Sequence, residues 1–121
     1  MKTDKQITGQ QGEEHAINFY LQNQYQILAT NWVYGHLEID IIARNQDTIV
    51  FCEVKTRTSD WFGAPHMAVN KAKQRNIIKA AHHYICKEGI DLDARFDIIS
   101  VLIKGDQVTL EHLPGAFTPS W

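Results

Sequence analysis

The chain is 121 residues long, near the commonest domain size, so a single domain over residues 1–121 is expected to close its own core. Its formal charge of −2 excludes the strongly basic balance of a typical nucleic-acid binder. No apolar run approaches the roughly 18 residues that cross a bilayer, and residues 1–11 are polar and carry no secretory pattern.

Gln10 to Gln22 has helical periodicity, with Ala16, Ile17, Tyr20 and Leu21 on one face. Glu13 falls in the middle of that face, where packing alone gives no reason for an acid. It is a candidate site residue, or else a carboxylate that serves the positive end of the helix dipole. Tyr25 to Tyr34 reads as a strand. Leu37 to Arg44 and Thr48 to Arg57 are rich in Ile, Val and Thr, and Asn45-Gln46-Asp47 between them supplies turn residues, so the pair reads as a β-hairpin. A loop spans Ser59 to His66 and contains Trp61 and Phe62. Asn70 caps a second helix that runs to about Lys87, with Val69, Ala72, Ile77, Ala80, Ala81 and Tyr84 inward. Arg95 to Ile103 is a nearly continuous apolar run, as in a strand covered on both faces. Gly105-Asp106 then turns into a shorter strand from Gln107 to Leu113, and residues 114–121 form a tail whose Phe117 and Trp121 pack back on the body. The element order is αβββαββ, an α/β fold.

A four-residue hairpin loop from Asn45 to Thr48 sets Arg44 opposite Ile49, Ile42 opposite Phe51, Asp40 opposite Glu53 and Glu38 opposite Lys55. The other face pairs Ala43 with Val50, Ile41 with Cys52 and Ile39 with Val54. Asp40 and Glu53 then stand about 5 Å apart at Cβ. Their repulsion is about 3 kcal/mol at an effective dielectric near 20, offset in part by Lys55 on the same face. A Mg²⁺ ion, which favours one or two carboxylates completed by water and phosphate, removes the rest. The competing reading is a solvated ladder of Glu38, Asp40, Glu53, Lys55 and Arg57. Ile42, Ile49 and Phe51 on the same face weigh against it, because they half-bury the charges.

Charge is unevenly distributed. Between Lys55 and Lys79 six basic residues stand against Asp60 alone, a charge of +5 that leaves the remainder at −7. A basic segment joined to an acid cluster suits a polyanion whose phosphate approaches the acids. Lys71, Arg75 and Lys79 read equally well as the solvated stripe of an amphipathic helix. Cys52 and Cys86 lack C-x-x-C spacing and are expected as small buried hydrophobes in a reducing cytoplasm. His82 and His83 are adjacent on a helix and make a poor chelate. No P-loop, dinucleotide fingerprint or nucleophile elbow is present.

Taken in order, Gly12-Glu13, Glu38-Ile39-Asp40, Glu53-Val54-Lys55-Thr56-Arg57, Lys73-Gln74-Arg75 and Arg95-Phe96-Asp97 resemble the YraN-like family. That family is largely uncharacterised and belongs to the PD-(D/E)XK nuclease superfamily, close to archaeal Holliday-junction resolvases. The likeness runs from about Gly9 to Phe117. It implies a restriction-endonuclease-like, three-layer core over residues 9–113, with a mixed sheet flanked by helices. It also implies Mg²⁺ or Mn²⁺ on Asp40, Glu53 and the Val54 carbonyl, Lys55 positioning the attacking water, Glu13 as the acid of the first helix and Gln74 as a polar residue of the second. Arg57, Lys71, Lys73 and Arg75 would then track phosphates of a nucleic acid, DNA sooner than RNA, and relatives of this kind suggest a homodimer. One departure is Leu37, which stands before Glu-Ile-Asp where the family more often has glycine. Two other functions fit the same residues: a nuclease fold that binds nucleic acid without cutting it, and an adaptor that meets a protein through the Trp61-Phe62 loop.

Overall fold

The first helix begins well before the apolar periodicity does. In the computed structural model, which describes residues 3–58 and 69–119, α1 runs over Asp4–Gln22. Thr3 caps it through a reciprocal box: its Oγ1 accepts from the Gln6 amide at 3.2 Å, and Gln6 Oε1 accepts from the Thr3 amide at 2.9 Å. The start expected at Gln10 is therefore too late, because Gly9 and Gly12 weaken the helical signal ahead of the apolar face. Gly12, Ala16 and Tyr20 are buried, whereas Leu21, assigned inward from periodicity, is 50% exposed.

Five strands follow the expected order: β1 (Gln26–Tyr34), β2 (Leu37–Arg44), β3 (Thr48–Arg57), then after helix α2 (Lys71–Glu88) β4 (Asp93–Lys104) and β5 (Gln107–Phe117). They form one mixed sheet in the order β1-β2-β3-β4-β5, antiparallel except for the parallel pair β3–β4 that α2 connects. The expected register holds for Arg44–Ile49, Ala43–Val50, Ile42–Phe51 and Ile41–Cys52. Asn70 caps α2 as expected, its side chain accepting from the Lys73 amide at 2.9 Å, but Ala72 is exposed rather than inward. Gly89 closes the helix at φ 62°. No helix among the described residues is long and apolar enough to cross a membrane. The Trp61-Phe62 loop and Trp121 lie outside the described residues.

Each sheet face carries one helix. Beneath α2, Ile42, Ile49, Phe51, Phe96 and Ile98 pack with Ile77, Ala80, Ala81 and Tyr84. Beneath α1, Ile41, Ala43, Val50, Cys52, Ile99 and Val101 pack with Ala16 and Tyr20. Strand β4 is covered on both faces, as its apolar run predicts. Cys52 is buried, but Cys86 is exposed, against the expectation of two buried thiols. Strand β5 also runs past Leu113, so no tail begins at residue 114. Pro114-Gly115-Ala116 bulge out, and Phe117 returns to pair and stack with Phe96, their rings 5.3 Å apart.

The bulge serves a buried acid. Asp97 is wholly sealed from solvent on the α1 face. Its Oδ1 accepts from Arg95 Nε at 2.8 Å and from the Gly115 amide at 3.0 Å, the latter aimed inward by the φ of 60° that glycine adopts without strain. Its Oδ2 accepts from Arg95 Nη2 at 2.8 Å and Tyr20 Oη at 2.9 Å, and lies 2.7 Å from His112 Nε2. Arg95 Nη2 also donates to Tyr25 Oη at 3.0 Å. Burial alone would raise the Asp97 pKa, but the bonds from Arg95, His112 and Gly115 outweigh it and hold the carboxyl well below the usual range.

Asp97→Asn leaves Arg95 without its counter-charge and is expected to cost roughly 3–5 kcal/mol in urea denaturation at neutral pH. The folded pKa is depressed, so the acid's contribution is whole above about pH 4 and is lost as pH falls through and below that value. Wild-type stability should therefore drop more steeply below about pH 4 than that of the variant.

Candidate functional site

Past Ile41–Cys52 the hairpin ladder stops, and the cause is the acid itself. Asp40 Oδ2 accepts from the Val54 amide at 2.8 Å, taking an N–H that points toward β2. The expected cross-strand pairs Asp40–Glu53, Ile39–Val54 and Glu38–Lys55 are not formed. The side-chain alternation of β2 breaks at the same place. Ile39 packs beneath α2 with Leu37 and Ile42, while Ile41 and Val54 pack beneath α1. Opposite the break, Asn31 of β1 adopts φ 49°, between the pairs Thr30–Ile41 and Trp32–Ile39. Strands β1 and β2 thus change face together, and Asp40 turns toward α1.

Glu53 stays in the α2-facing series of β3 with Phe51. Only 5% exposed, it has Lys55 Nζ and Lys73 Nζ each 3.7 Å from Oε1. Both acids line one cavity of about 510 Å³, together with Glu13, Val54, Thr56 and Thr58 and with Asp4, Lys5, Thr8 and Gly9 of the first turns of α1. Burial, then repulsion from Glu53, pushes the Asp40 carboxyl up to about 7, against the pull of the Val54 amide. Burial also raises Glu53, which Lys73 and Lys55 partly offset. Glu13 is raised by burial and by Glu38, while Asn31 Nδ2 donates to its Oε2 at 3.2 Å.

These donors fit a hard divalent cation. Half-buried Asp40, raised by Glu53, has no cation paired with it among the described residues, whereas buried Glu53 faces two lysines; a Mg²⁺ site needs no more than one or two protein carboxylates. Among the described residues no group of three or more carboxylate, imidazole or thiol side chains gathers to hold an ion. Glu13 therefore lines the cavity without completing a cage.

The cavity depends on a close approach. A Cβ built on Gly12 would lie 1.8 Å from Thr56 Oγ1 and 2.8 Å from Thr56 Cβ, so glycine alone lets α1 sit this near β3. The next residue, Glu13, is thereby carried to the cavity wall.

Comparison with known proteins places the chain. A model of the uncharacterised protein family UPF0102 matches residues 12–101, well over half of the sequence. The chain belongs to UPF0102. This is the YraN-like family to which the motifs pointed. A UPF0102 protein of Geobacter metallireducens is 43% identical over 118 residues, covering 97% of each chain. One from Porphyromonas gingivalis is 44% identical over 116 residues, covering 94% of this chain and 86% of the relative. One from Acetivibrio thermocellus is 45% identical over 116 residues, covering 93% and 89%.

In this UPF0102 chain the residues singled out from sequence fall into two groups. Glu13, Asp40, Glu53 and Val54 share the cavity, and Lys55 reaches Glu53. The others lie elsewhere. Gln74 Nε2 donates to the Val69 carbonyl at 3.1 Å, holding the chain ahead of α2. Lys71 and Arg75 are exposed on α2, Arg57 is half-buried, and Lys73, expected with them to track phosphates, has its Nζ 3.7 Å from Glu53. Leu37, the departure from the family pattern, is buried beneath α2. Asn31 escaped the sequence reading, and Gly12 entered it only through the Gly12-Glu13 motif, without its packing role. A left-handed asparagine in a strand leaves no periodic signal, and the close approach that needs Gly12 involves a residue far away in sequence.

Two outcomes follow from this geometry. Asp40→Asn keeps an acceptor for Val54 and removes a charge. The folded pKa of Asp40 is raised, so its cost to stability is absent at low pH and grows as pH climbs from about 4 toward 7. With chelator present, the variant should exceed wild type by about 1–3 kcal/mol at pH 8 and match it at pH 4 in urea titrations. Gly12→Ala should cost about 1–3 kcal/mol, with Thr56→Ala in the same chain recovering part, as read by thermal melting.

Proposed function

We propose that this chain is a divalent-metal-dependent nuclease that hydrolyses phosphodiester bonds, with branched or single-stranded DNA as the substrate class. The observation that supports it is a cavity lined by Asp40, Glu53 and Val54, with Lys55 3.7 Å from Glu53. Asp40, Glu53 and the Val54 carbonyl would hold Mg²⁺ or Mn²⁺. When bound, such an ion polarises a phosphoryl oxygen and lowers the pKa of water. Lys55 orients the attacking water or offsets negative charge that develops on the phosphate. Glu13, which Asn31 holds at the cavity wall, accepts hydrogen bonds from water there. Lys71 and Arg75 contact neighbouring phosphates along the exposed face of α2. Two free thiols suit a reducing cytoplasm, and the likeness to resolvases suggests a homodimer.

One observation favours a second reading, a nuclease fold that binds without cutting. Two lysines already face Glu53, one of them from α2. An acid neutralised in this way has less need of a metal ion.

Cleavage of end-labelled single-stranded, duplex, flap and four-way-junction DNA, with matched RNAs, separates the two. For the nuclease, cutting requires Mg²⁺ or Mn²⁺, is lost in Asp40→Asn, and falls about 10²–10³-fold in Lys55→Ala. Binding with no cutting in either metal moves the function to the second reading.

A further inference from the structure

Helix α1 changes character along one face. Residues on a helix recur on the same side at spacings of three and four, so Lys5, Thr8, Gly9, Gly12, Glu13, Ala16 and Tyr20 form a single stripe. Its later part, Gly12, Ala16 and Tyr20, is buried against the sheet. Its earlier part is polar, and Lys5, Thr8 and Gly9 line the acid cavity. Ile7, the apolar residue of these first turns, faces outward at 42% exposure. The first two turns thus present polar or small residues to the cavity, with Lys5 exposed and Thr8 and Gly9 half-buried.

The opposite wall of the cavity carries Thr56 and Thr58. One amine and three hydroxyls therefore line the cavity, together with the carboxylates of Asp4, Glu13, Asp40 and Glu53. Lysine and threonine on two walls can donate several hydrogen bonds to a phosphate. They can do little for a cation, which the carboxylates of the cavity attract. Gly12 against Thr56 locks the two walls together, so the donors keep a fixed place relative to Asp40 and Glu53.

We infer that Lys5, Thr8, Thr56 and Thr58 form a phosphate subsite of a polynucleotide, seating the backbone phosphate next to the one that meets Asp40 and Glu53. The subsite rests on the nuclease reading for its substrate, but it concerns binding and not cleavage. It gives the first turns of α1, which precede the residues matched by the family model, a share in substrate positioning that the basic stripe of α2 does not supply.

The test is fluorescence anisotropy of a labelled single-stranded oligodeoxythymidylate with the full chain in EDTA, where no cutting occurs, over a range of salt. Lys5→Ala should weaken binding about fivefold and lower the slope of log K against log salt by about 0.7, the value of one phosphate contact on a single strand. Lys5→Arg should restore both, Thr8→Val should weaken binding at unchanged slope, and Lys87→Ala, on the far turn of α2, should change neither. An unchanged slope in Lys5→Ala overturns the subsite and leaves the nuclease reading standing. Full competition by thymidine monophosphate at concentrations similar to the oligonucleotide's own affinity would mark a mononucleotide pocket and overturn the assignment to a polymer. Absence of salt-dependent binding by the wild type overturns both, whereas binding that responds to Lys5 without any cutting in Mg²⁺ keeps the subsite and removes the nuclease.

Discussion

A charged oxygen pair closed off from water must be surrounded by donors, and in this fold that requirement falls on Asp97. Its donors come from three separate elements. Tyr20 lies in α1, Arg95 sits two residues away on β4, and His112 and the Gly115 amide belong to β5. Tyr25, at the entrance to β1, joins through Arg95. The carboxylate thus fixes the C-terminal half of α1 to the sheet and bends β5 at its bulge. With Tyr20 tied down at one point and Gly12 pressed on Thr56 at another, the remaining turns of α1 are aimed over the cavity and cannot swing away.

The two buried acid systems follow opposite logic. Around Asp97 every lone pair meets a donor, and the carboxyl is held ionised. Around Asp40 and Glu53 burial outweighs the Val54 amide on one acid and the two lysines on the other, so the charged state is disfavoured. The first arrangement serves the fold. The second works against it, and its persistence in a small core is what one expects where a site needs charge that only a ligand can neutralise.

Much of this was legible in the sequence, and the misses share one cause. Binary pattern gives the element order, the capped start of α2, the doubly covered β4 and the hairpin register from Arg44–Ile49 to Ile41–Cys52. It fails beyond that point because a side chain, Asp40, takes the place of the backbone ladder, and alternation carries no information about such a substitution. The start of α1 was written in Thr3 and Gln6, a capping box, but two glycines and an outward Ile7 hid it from periodicity. Charge counting placed Lys73 with its basic neighbours, although a half-turn of helix rotation sends it to Glu53. Asp97 entered only as part of the Arg95-Phe96-Asp97 motif, with no role of its own, since nothing local announces donors drawn from distant segments.

The parallel pairing of β3 and β4 has a consequence for the order in which the molecule assembles. Strands β1 to β3 and strands β4 to β5 are joined by short turns and can form from contacts near in sequence. The register that sets Thr48 beside Asp93 must instead close a loop holding the whole of α2. Loop closure of that length is the entropic step in folding, and chains with such contacts fold more slowly than local meanders. Asp40 meets the Val54 amide within the early hairpin, whereas Glu53 gains Lys73 only when α2 docks. Any order of assembly that closes the hairpin before α2 docks therefore leaves Glu53 with Lys55 alone until Lys73 arrives.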